Sequence, residues 1–365
     1  MDIYLDDITS LMLTRTVAVN KGIVLTPTNV CRPTGLGIRY VKLDRLGLSG
    51  LLTYLKIPET RSLGIVVPRR KDRVRTHGIH CVIDSTQREG EPFLLLSSAD
   101  STNPSPLVSS TTNVYVQHPA KIVLEMARRI RRKELNGEIT KQQAILLMVK
   151  LCLELCGTYS HGPFDPNHAD AIYNVEQRIT REELCNYLRA EGNEQGLSLA
   201  RLAASLSYDM SGSPQESFLG PALFFSSRLG GLELCDYVAN EPLDLTPQEK
   251  ASINYRTITP DFQLSDYKSI VEYLGEVHKE GNNPRIDHMR SLDYQTLGKR
   301  EFGFWYSDVN TQSHFLQSAA RIANAIAQVD DPNIMKSFRK RISTPSFLER
   351  QRVLFSVFRP WLRGK

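Results

Sequence analysis

The chain has few of the features that mark exported or membrane-embedded proteins. It contains six cysteines in 365 residues, and no apolar run approaches the roughly 18 uninterrupted residues that a membrane-spanning helix needs. Its first ten residues, MDIYLDDITS, are acidic, whereas a secretory signal begins basic and then turns apolar. We therefore expect a cytoplasmic protein with reduced thiols, no disulfide framework and no membrane partner.

Length and composition indicate a globular protein of more than one domain. A chain of 365 residues exceeds what one compact core usually serves, so two or three domains are expected. Hydrophobic residues make up 41% and charged residues 23%, which is ordinary for a globular protein. The patterns divide the chain into a strand-rich region (1–117), a helical region (118–208), a mixed domain (209–330) and a basic aromatic tail (331–365). The first two regions can form one small domain, and the fold class is α+β or α/β.

Positive charge is concentrated at the C-terminal end. Residues 336–365 hold nine Lys or Arg and one acid, a net +8, which leaves −3 for residues 1–335 out of a total of +5. Aromatic residues interrupt these charges at Phe338, Phe347, Phe355, Phe358 and Trp361. Such a segment indicates either a nucleic-acid contact or an amphipathic helix docked by its aromatic face. A second basic run, at 68–75, is more typical of a solvated surface than of a phosphate-binding loop.

Periodicity predicts strands in the first third of the chain and helices after it. Gly and Pro punctuate the strands expected at 22–25, 37–41, 63–67, 80–83 and 114–116. Helical spacing of apolar residues predicts helices at 119–130, 141–156, 180–188 and 197–206. Thr180 and Glu183 have the spacing of a capping box at the start of the third helix.

Four metal-binding residue types cluster in this helical region. Cys152, Cys156, His161 and His168 come near zinc-ligand spacings without matching the usual ones. The two cysteines are one helical turn apart on an apolar stripe, where a free thiol behaves as a small hydrophobe. A structural role is therefore favoured over a metal site.

The third region is predicted to have the order α-β-β-β-α-β-α. A helix begins at Ser213, a good capping residue that Pro214 follows, and is expected to run to Gly230. Strands follow within 232–247, 258–262 and 269–273, then a helix at 285–297, a strand at 302–306 and a helix at 313–329. Glu216, at the third helical position, has the spacing of a capping residue.

Two carboxylates end neighbouring predicted strands. Asp261 and Glu272 are in a position to hold a hard cation through oxygen ligands, and such a cation can activate water against a phosphodiester. The alternative is structural. Asp261 then caps a turn after Pro260, and Glu272 pairs with Arg285 or Arg290 on the following helix.

Taken together, residues 210–328 resemble the PD-(D/E)xK nuclease superfamily, and within it a group related to very-short-patch mismatch endonucleases. The matching motifs are Ser213-Pro214-Gln215-Glu216, Asp261-Phe262, Glu272-Tyr273-Leu274-Gly275 with His278, and Asp287 followed by Arg290. The resemblance implies a restriction-endonuclease-like domain, with a central mixed sheet flanked by helices.

The resemblance also implies an activity, that of a Mg²⁺-dependent DNA endonuclease or nickase. Glu216, Asp261 and Glu272 would bind Mg²⁺ and take part in catalysis. His278 would act as a general base. Arg285, Arg290 and Lys279 would contact DNA. The alternative for Arg285, Asp287 and Arg290 is a set of surface ion pairs three residues apart on a helix, such as Asp287–Arg290.

Leu274 departs from the family pattern. The wider superfamily has lysine two positions after the second acid, and the closer group has aspartate there. Leucine neither binds metal nor polarises water. Glu276, Lys279, His278 or Lys268 would have to supply a substitute. The alternative function is therefore a catalytically inactive nuclease fold that binds DNA or another protein, such as an antitoxin-like transcriptional regulator.

The preceding region is similar to an AbiEi-like antitoxin or regulator module. This resemblance rests on the segments 113–120 and 154–159. It implies a bacterial phage-defence or toxin–antitoxin context, with a partner protein from a neighbouring gene.

Overall fold

A computed structural model describes residues 2–5, 7–19, 23–28, 63–67, 79–83, 93–98, 113–161, 171–275 and 284–362. Several predictions lie outside these residues: the strand at 37–41, the basic run at 68–75, His168, Glu276, His278 and Lys279.

The N-terminal region is built around a four-stranded sheet. Its order is β1-β6-β5-β2, from β1 (Asp2–Tyr4), β2 (Ile23–Pro27), β5 (Phe93–Ser98) and β6 (Asn113–Gln117). Helix α1 (Asp7–Val19) follows β1, and β3 (Leu63–Val67) pairs in parallel with β4 (Ile79–Ile83). The predicted strands β2, β3, β4 and β6 are confirmed. The prediction placed only strands and turns in this region, so it missed α1 and β1. It also missed β5, whose FLLLSS sequence lacks both the polar alternation and the β-branched residues that mark a strand.

Four helices form the next layer, as predicted. They are α2 (Pro119–Leu135), α3 (Lys141–Leu155), α4 (Arg181–Ala190) and α5 (Leu197–Leu206). The Thr180–Glu183 capping box is present at the start of α4. Between α3 and α4 the short strands β7 (Tyr159–His161) and β8 (Ala171–Tyr173) pair antiparallel. Cys152 and Cys156 are fully buried in the core, and burial raises the pKa of both thiols.

The third region keeps the predicted order of its main elements. These are α6 (Pro214–Phe224), β9 (Tyr237–Ala239), β10 (Phe262–Leu264), β11 (Ser269–Tyr273), α8 (Pro284–Thr296), β12 (Arg300–Phe304) and α10 (Gln312–Val329). Two short helices are added, α7 (Pro247–Ser252) and α9 (Tyr306–Val309). The sheet order is β12-β11-β10-β9, with β10 antiparallel to both neighbours and β11 parallel to β12. Helix α8 is the crossover that this parallel pair requires.

Three predicted boundaries shift for local reasons. Helix α6 ends at Phe224, because Phe225 is extended and a separate 3₁₀ turn (Ser227–Leu229) then ends at Gly230 with φ 89°. The strand predicted at 258–262 begins only at Phe262, after Pro260, which has no N–H for a ladder. Strand β12 ends at Phe304, because Trp305 precedes the first turn of α9.

Helices cover both faces of this sheet. Phe262, Val271 and Phe304 join the main core, which also contains apolar residues of α6 and α10. Ile270 points to the opposite face, where it packs with Tyr294 of α8 in a smaller cluster. The protein is therefore a mixed α+β fold with a helix-flanked sheet. None of the helices in the described part of the chain has the length and hydropathy that crossing a bilayer requires.

The C-terminal segment forms two packed helices. They are α11 (Pro332–Ile342) and α12 (Pro345–Leu362). The docked amphipathic arrangement is observed, because the described aromatic residues of the segment are buried in the main core: Phe338, Phe347, Phe355 and Phe358. The same core includes residues of α2 to α6, so the ranges 118–208, 209–330 and 331–365 share it.

Candidate functional site

Glu216 lies at the third position of α6. Its backbone N–H donates to the Ser213 hydroxyl at 3.1 Å, and its Oε2 accepts from the backbone N–H of Gly212 at 2.7 Å. The carboxylate folds back over Gly212, where an added Cβ would lie 3.2 Å from Oε1. Glu216 therefore does stabilise the helix start, as the structural alternative expects, while its carboxylate stays at the positive end of α6.

Asp261 and Glu272 face each other across neighbouring strands. The antiparallel register pairs Phe262 with Val271, so Asp261 lies opposite Glu272. Asp261 Oδ2 accepts from the backbone N–H of Tyr273 at 2.7 Å. The predicted proximity of the two carboxylates follows from this register.

Glu272 is held by two side chains of α8. It is only 4% exposed, and its Oε1 accepts from Arg290 Nη2 at 2.9 Å and from the Tyr294 hydroxyl at 2.6 Å. Arg290 Nε also donates to the Tyr294 hydroxyl, at 3.1 Å, and Nη2 donates to the carbonyl of Thr259. The sequence left Arg285 and Arg290 open as partners of Glu272, and Arg290 contacts it in the structure.

The electrostatics of this cluster are those of crowded carboxylates. The pKa of Glu216 lies well above its usual value, first because burial disfavours the charged form and then because Asp261 adds a like charge. The pKa of Glu272 is raised well above its usual value by the same two causes in the same order. Arg290 opposes both shifts. Asp261 lies opposite Glu272 in the strand register, and its charge also raises the pKa of Glu216.

Leu274 fills the position where the family pattern has a polar residue. Its backbone N–H donates to the carbonyl of Phe304 at 2.7 Å, which extends the β11–β12 ladder. Its side chain covers Gly303, since a Cβ added to that glycine would overlap Leu274 Cδ1. Gly303 is the register partner of Glu272, so this apolar contact lies beside the carboxylate.

The described carboxylates do not fit Mg²⁺ as they are arranged. Glu216, Asp261 and Glu272 each use one oxygen to accept a hydrogen bond from the protein. Across the residues that the structure describes, no group of three or more His, Cys, Asp or Glu is placed to hold a metal ion. Mg²⁺ demands a near-ideal octahedron of oxygen ligands. The cation in contact with Glu272 is Arg290.

Some predicted site residues are only partly described. Arg285 and Asp287 lie on the backbone of α8, but their side chains fall outside the described residues, as do His278 and Lys279 entirely. Tyr294 was not predicted as a site residue. Its position four residues after Arg290, on the same helical face, is the signal that could have found it.

A second charged cluster joins α1 to α3. Arg15 of α1 donates to both carboxylate oxygens of Glu154, from Nε at 2.7 Å and from Nη2 at 2.6 Å. The backbone N–H of His161 donates to Glu154 Oε1 at 3.2 Å, and Lys150 Nζ donates to the carbonyl of Val357 at 3.1 Å. These contacts join α1, α3, β7 and α12, which is a structural role.

No family model matches the chain, and neither does any curated protein or solved structure. What the site does therefore follows from its own geometry and charge.

Proposed function

We propose that the protein binds nucleic acid through the basic face of α11 and α12, which pack on a nuclease-like domain at 209–330 that no longer hydrolyses phosphodiesters. The element order and the helix-flanked mixed sheet support a restriction-endonuclease-like domain here. The motifs at Ser213, Asp261 and Glu272 support the same family likeness. The N-terminal resemblance supports a regulatory role in bacterial defence, with a partner encoded nearby.

The observation that carries the proposal is the state of Glu272. Arg290 and Tyr294 both donate to its Oε1, and Leu274 packs on Gly303 beside it. A hydrolytic site needs an open metal position and a group that polarises water. In this domain the Arg290 guanidinium contacts the carboxylate that would bind the metal, and Leu274 stands where the water-polarising group would be.

The support for nucleic acid lies on α11 and α12. Their aromatic faces are buried, which fixes the helices rigidly against the domain. Basic residues remain exposed on the outer surface: Lys336, Arg339, Lys340 and Arg352. A rigid basic face of this kind is the electrostatic footprint of phosphate-backbone binding.

Fluorescence anisotropy with a labelled DNA duplex tests this function. Reversing three charges on α11 (Lys336→Glu, Arg339→Glu, Lys340→Glu) should weaken binding and flatten its salt dependence, by about 0.9 in log–log slope for each phosphate that is no longer neutralised. A matched variant reverses three exposed charges elsewhere, at Arg132, Lys133 and Lys141, and should bind almost as wild type does. Asp261→Ala should leave binding intact.

Two results would contradict the proposal. One is the absence of binding at low salt, and the other is binding whose affinity does not change with salt. Charge reversal on α11 is preferable to truncation, because Phe355 and Phe358 of α12 belong to the core and their removal would unfold the chain.

A second candidate is a Mg²⁺-dependent DNA endonuclease or nickase. The specific observation in its favour is that Asp261 is within electrostatic reach of both Glu216 and Glu272, three carboxylates from three separate elements. It predicts nicking of supercoiled plasmid or mismatched duplex with Mg²⁺ or Mn²⁺, abolished by Asp261→Ala. A broad substrate panel that stays uncut with either metal would exclude it.

A further inference from the structure

One stripe of α10 is polar and open to solvent. Four exposed side chains follow one another on this helix at spacings of four, three and four residues: Gln317, Arg321, Asn324 and Gln328. This spacing places them on one side of the helix, over a length of about 16 Å. None of the four makes a hydrogen bond or an ion pair with another residue that the structure describes. In contrast, Gln312 of the same helix donates from Nε2 to the carbonyl of Leu348 at 3.1 Å.

Helix α10 is held in place from its other side. Its apolar stripe is buried in the main core. The Ser318 hydroxyl donates to Asp308 Oδ1 at 2.6 Å, and Arg300 Nη1 donates to the carbonyl of Ala325 at 3.0 Å. Since the helix is already fixed, a partner that binds to the exposed stripe does not have to order the backbone.

Helix α11 lies beside α10 and carries exposed cations. A two-residue connection, Asp330 and Asp331, joins the helices, which pack along each other. Helices joined so tightly run antiparallel, with their axes about 8–10 Å apart. Because Ile326 of α10 and Ile334 of α11 lie in the same core, the outer faces of the two helices are neighbours on the surface. The exposed cations of α11 also have no partner among the described residues, and we call them the cation row: Lys336, Arg339 and Lys340.

Negative charge is absent from both helices. Neither 312–329 nor 332–342 contains Asp or Glu. Of the two acids in the connection, Asp330 pairs with Arg300 and Asp331 caps α11. A surface that carries cations and no carboxylates attracts a polyanion. The basic face therefore continues from α11 over α10.

The side chains on the two helices differ in what they can recognise. Each amide of Gln317, Asn324 and Gln328, the amide row, offers both donors and an acceptor, and such amides pair with base edges. Lysine and arginine suit phosphates. Rows about 8–10 Å apart allow the amides to face the bases of a major groove about 12 Å wide while the cations reach one bordering backbone. The major groove of an RNA duplex is too narrow for side chains to read.

We propose that α10 and α11 together recognise double-stranded DNA, with the cation row on one phosphate backbone and the amide row on base edges in the adjoining major groove. The inference rests on the proposed nucleic-acid binding and deepens it, because it names duplex DNA as the partner and predicts that affinity depends on base sequence. Phosphate contacts position a protein on DNA, whereas base contacts specify the sequence. The two rows should therefore give different results when each is removed.

Selection from a pool of DNA duplexes with a randomised central segment tests the inference on the full chain. Anisotropy then compares a selected duplex with the unselected pool. Wild type should bind the selected duplex at least about ten-fold more tightly, a factor of the order that one good amide–base pair contributes. The variant Gln317→Ala/Asn324→Ala/Gln328→Ala should bind both about equally and keep the salt dependence of wild type. Alanine is a strong helix former, so α10 should remain intact.

A matched variant removes one asparagine and two glutamines at exposed positions elsewhere, with the substitutions Asn193→Ala, Gln195→Ala and Gln248→Ala. It should retain the sequence preference of wild type. Charge reversal of the cation row should have the complementary effect, since it lowers the affinity for selected and unselected duplexes alike and flattens the salt dependence. Melting curves check that each variant is folded.

Three results would overturn the inference: a wild type that selects no sequence, an amide-row variant that keeps its preference, and tighter binding to an RNA duplex or to single-stranded DNA than to duplex DNA. Each leaves the proposed nucleic-acid binding standing if charge reversal on α11 still weakens it. The absence of any binding at low salt would contradict the proposed function, and the inference with it.

Discussion

Two glutamate–arginine pairs in this protein look alike chemically and behave in opposite ways. Glu154 pairs with Arg15, and Glu272 pairs with Arg290. Both carboxylates are buried, with 3% and 4% of their surfaces exposed. Burial alone raises the pKa of each. Around Glu154, Arg15 and His161 more than reverse this and bring the pKa to about 2, whereas the pKa of Glu272 ends well above its usual value.

The difference lies in what surrounds each pair. Arg15 binds both oxygens of Glu154, and a backbone N–H adds a third bond. Arg290 binds one oxygen of Glu272, and Asp261 stands nearby with a like charge. The Arg15–Glu154 pair, whose hydrogen bonds are complete, has a structural role. The Arg290–Glu272 pair has a like charge beside it, and perturbed carboxylates of this kind are typical of functional sites.

The largest expected effect comes from removing each arginine. Arg15→Met leaves a charge buried without its partner and should cost about 3–5 kcal/mol in the free energy of unfolding. Arg290→Met should cost only about 1 kcal/mol, because Glu272 with its raised pKa takes up a proton readily. Urea denaturation at pH 7 measures both. Equal costs would erase the distinction between the two pairs.

The second-largest expected effect is a loss of stability in acid from the cluster around Glu154 and His161. Burial lowers the pKa of His161 from 6.5 to about 4, so the unfolded chain binds the proton first as pH falls. The contribution of His161 to stability should therefore fall by about 3 kcal/mol between pH 6.5 and 4 and then stop changing. Glu154, whose folded pKa is depressed, adds its own loss between pH 4.5 and 2.

The control for this acid effect is His161→Phe, which keeps a ring against Tyr159. Urea unfolding measured at half-unit steps of pH should show that the share of the acid effect due to His161, about 3 kcal/mol between pH 6.5 and 4, is missing from the profile of the variant. A variant that retains the wild-type slope would assign the effect to a different group.

Replacing each glutamate with glutamine should change the stability of the protein in opposite directions. Glu154→Gln replaces an oxygen that accepts from Arg15 with an amide donor, and should destabilise the protein by about 2 kcal/mol. Glu272→Gln removes a charge whose folded pKa is raised, and its carbonyl can still accept from Arg290 and Tyr294. We expect it to stabilise the protein at pH 7, by up to about 1 kcal/mol. Thermal melts that shift in the same direction would refute this.

The smallest effect concerns the apolar neighbour of the second pair. Gly303→Ala brings a Cβ into overlap with Leu274 Cδ1, so the leucine must turn away, at a cost of about 1 kcal/mol. In a Leu274→Ala background the same substitution should cost nothing. A double-mutant cycle by urea denaturation measures this coupling, and additive effects would show that Leu274 does not cover Gly303.

Much of the candidate site could be predicted from local sequence. Ser213 with Glu216 marks a helix start through spacing alone, because capping bonds join residues three apart. The separation of Asp261 from Glu272 fits two strands joined by a tight turn, which brings their outer ends together. The choice between Arg285 and Arg290 could not be predicted in this way. It depends on the rotation of α8 against the sheet, which the packing of Tyr294 with Ile270 fixes.

The C-terminal segment is a second example of a feature that local sequence could not fully predict. Its charges and aromatic residues are visible in the sequence, and they left two interpretations open. Burial shows that the aromatic residues dock the segment, because Phe338, Phe347 and Phe358 are each at most 1% exposed once α11 and α12 pack on the core. The exposed basic face of the same helices is the basis of the proposed nucleic-acid contact. Likewise, nothing local indicates that Arg15 meets Glu154, 139 residues away in the chain.

Local sequence is enough to predict the order of the main elements in the third region, the capped start of α6, and the leucine at a position where the related pattern is polar. Short-range bonds and side-chain identity suffice for these features. The cation that faces Glu272, and the difference in surroundings between the two glutamate–arginine pairs, follow only from the folded structure. Charge and burial are properties of a neighbourhood, and that neighbourhood is assembled from α6, β10, β11 and α8 only when the chain is folded.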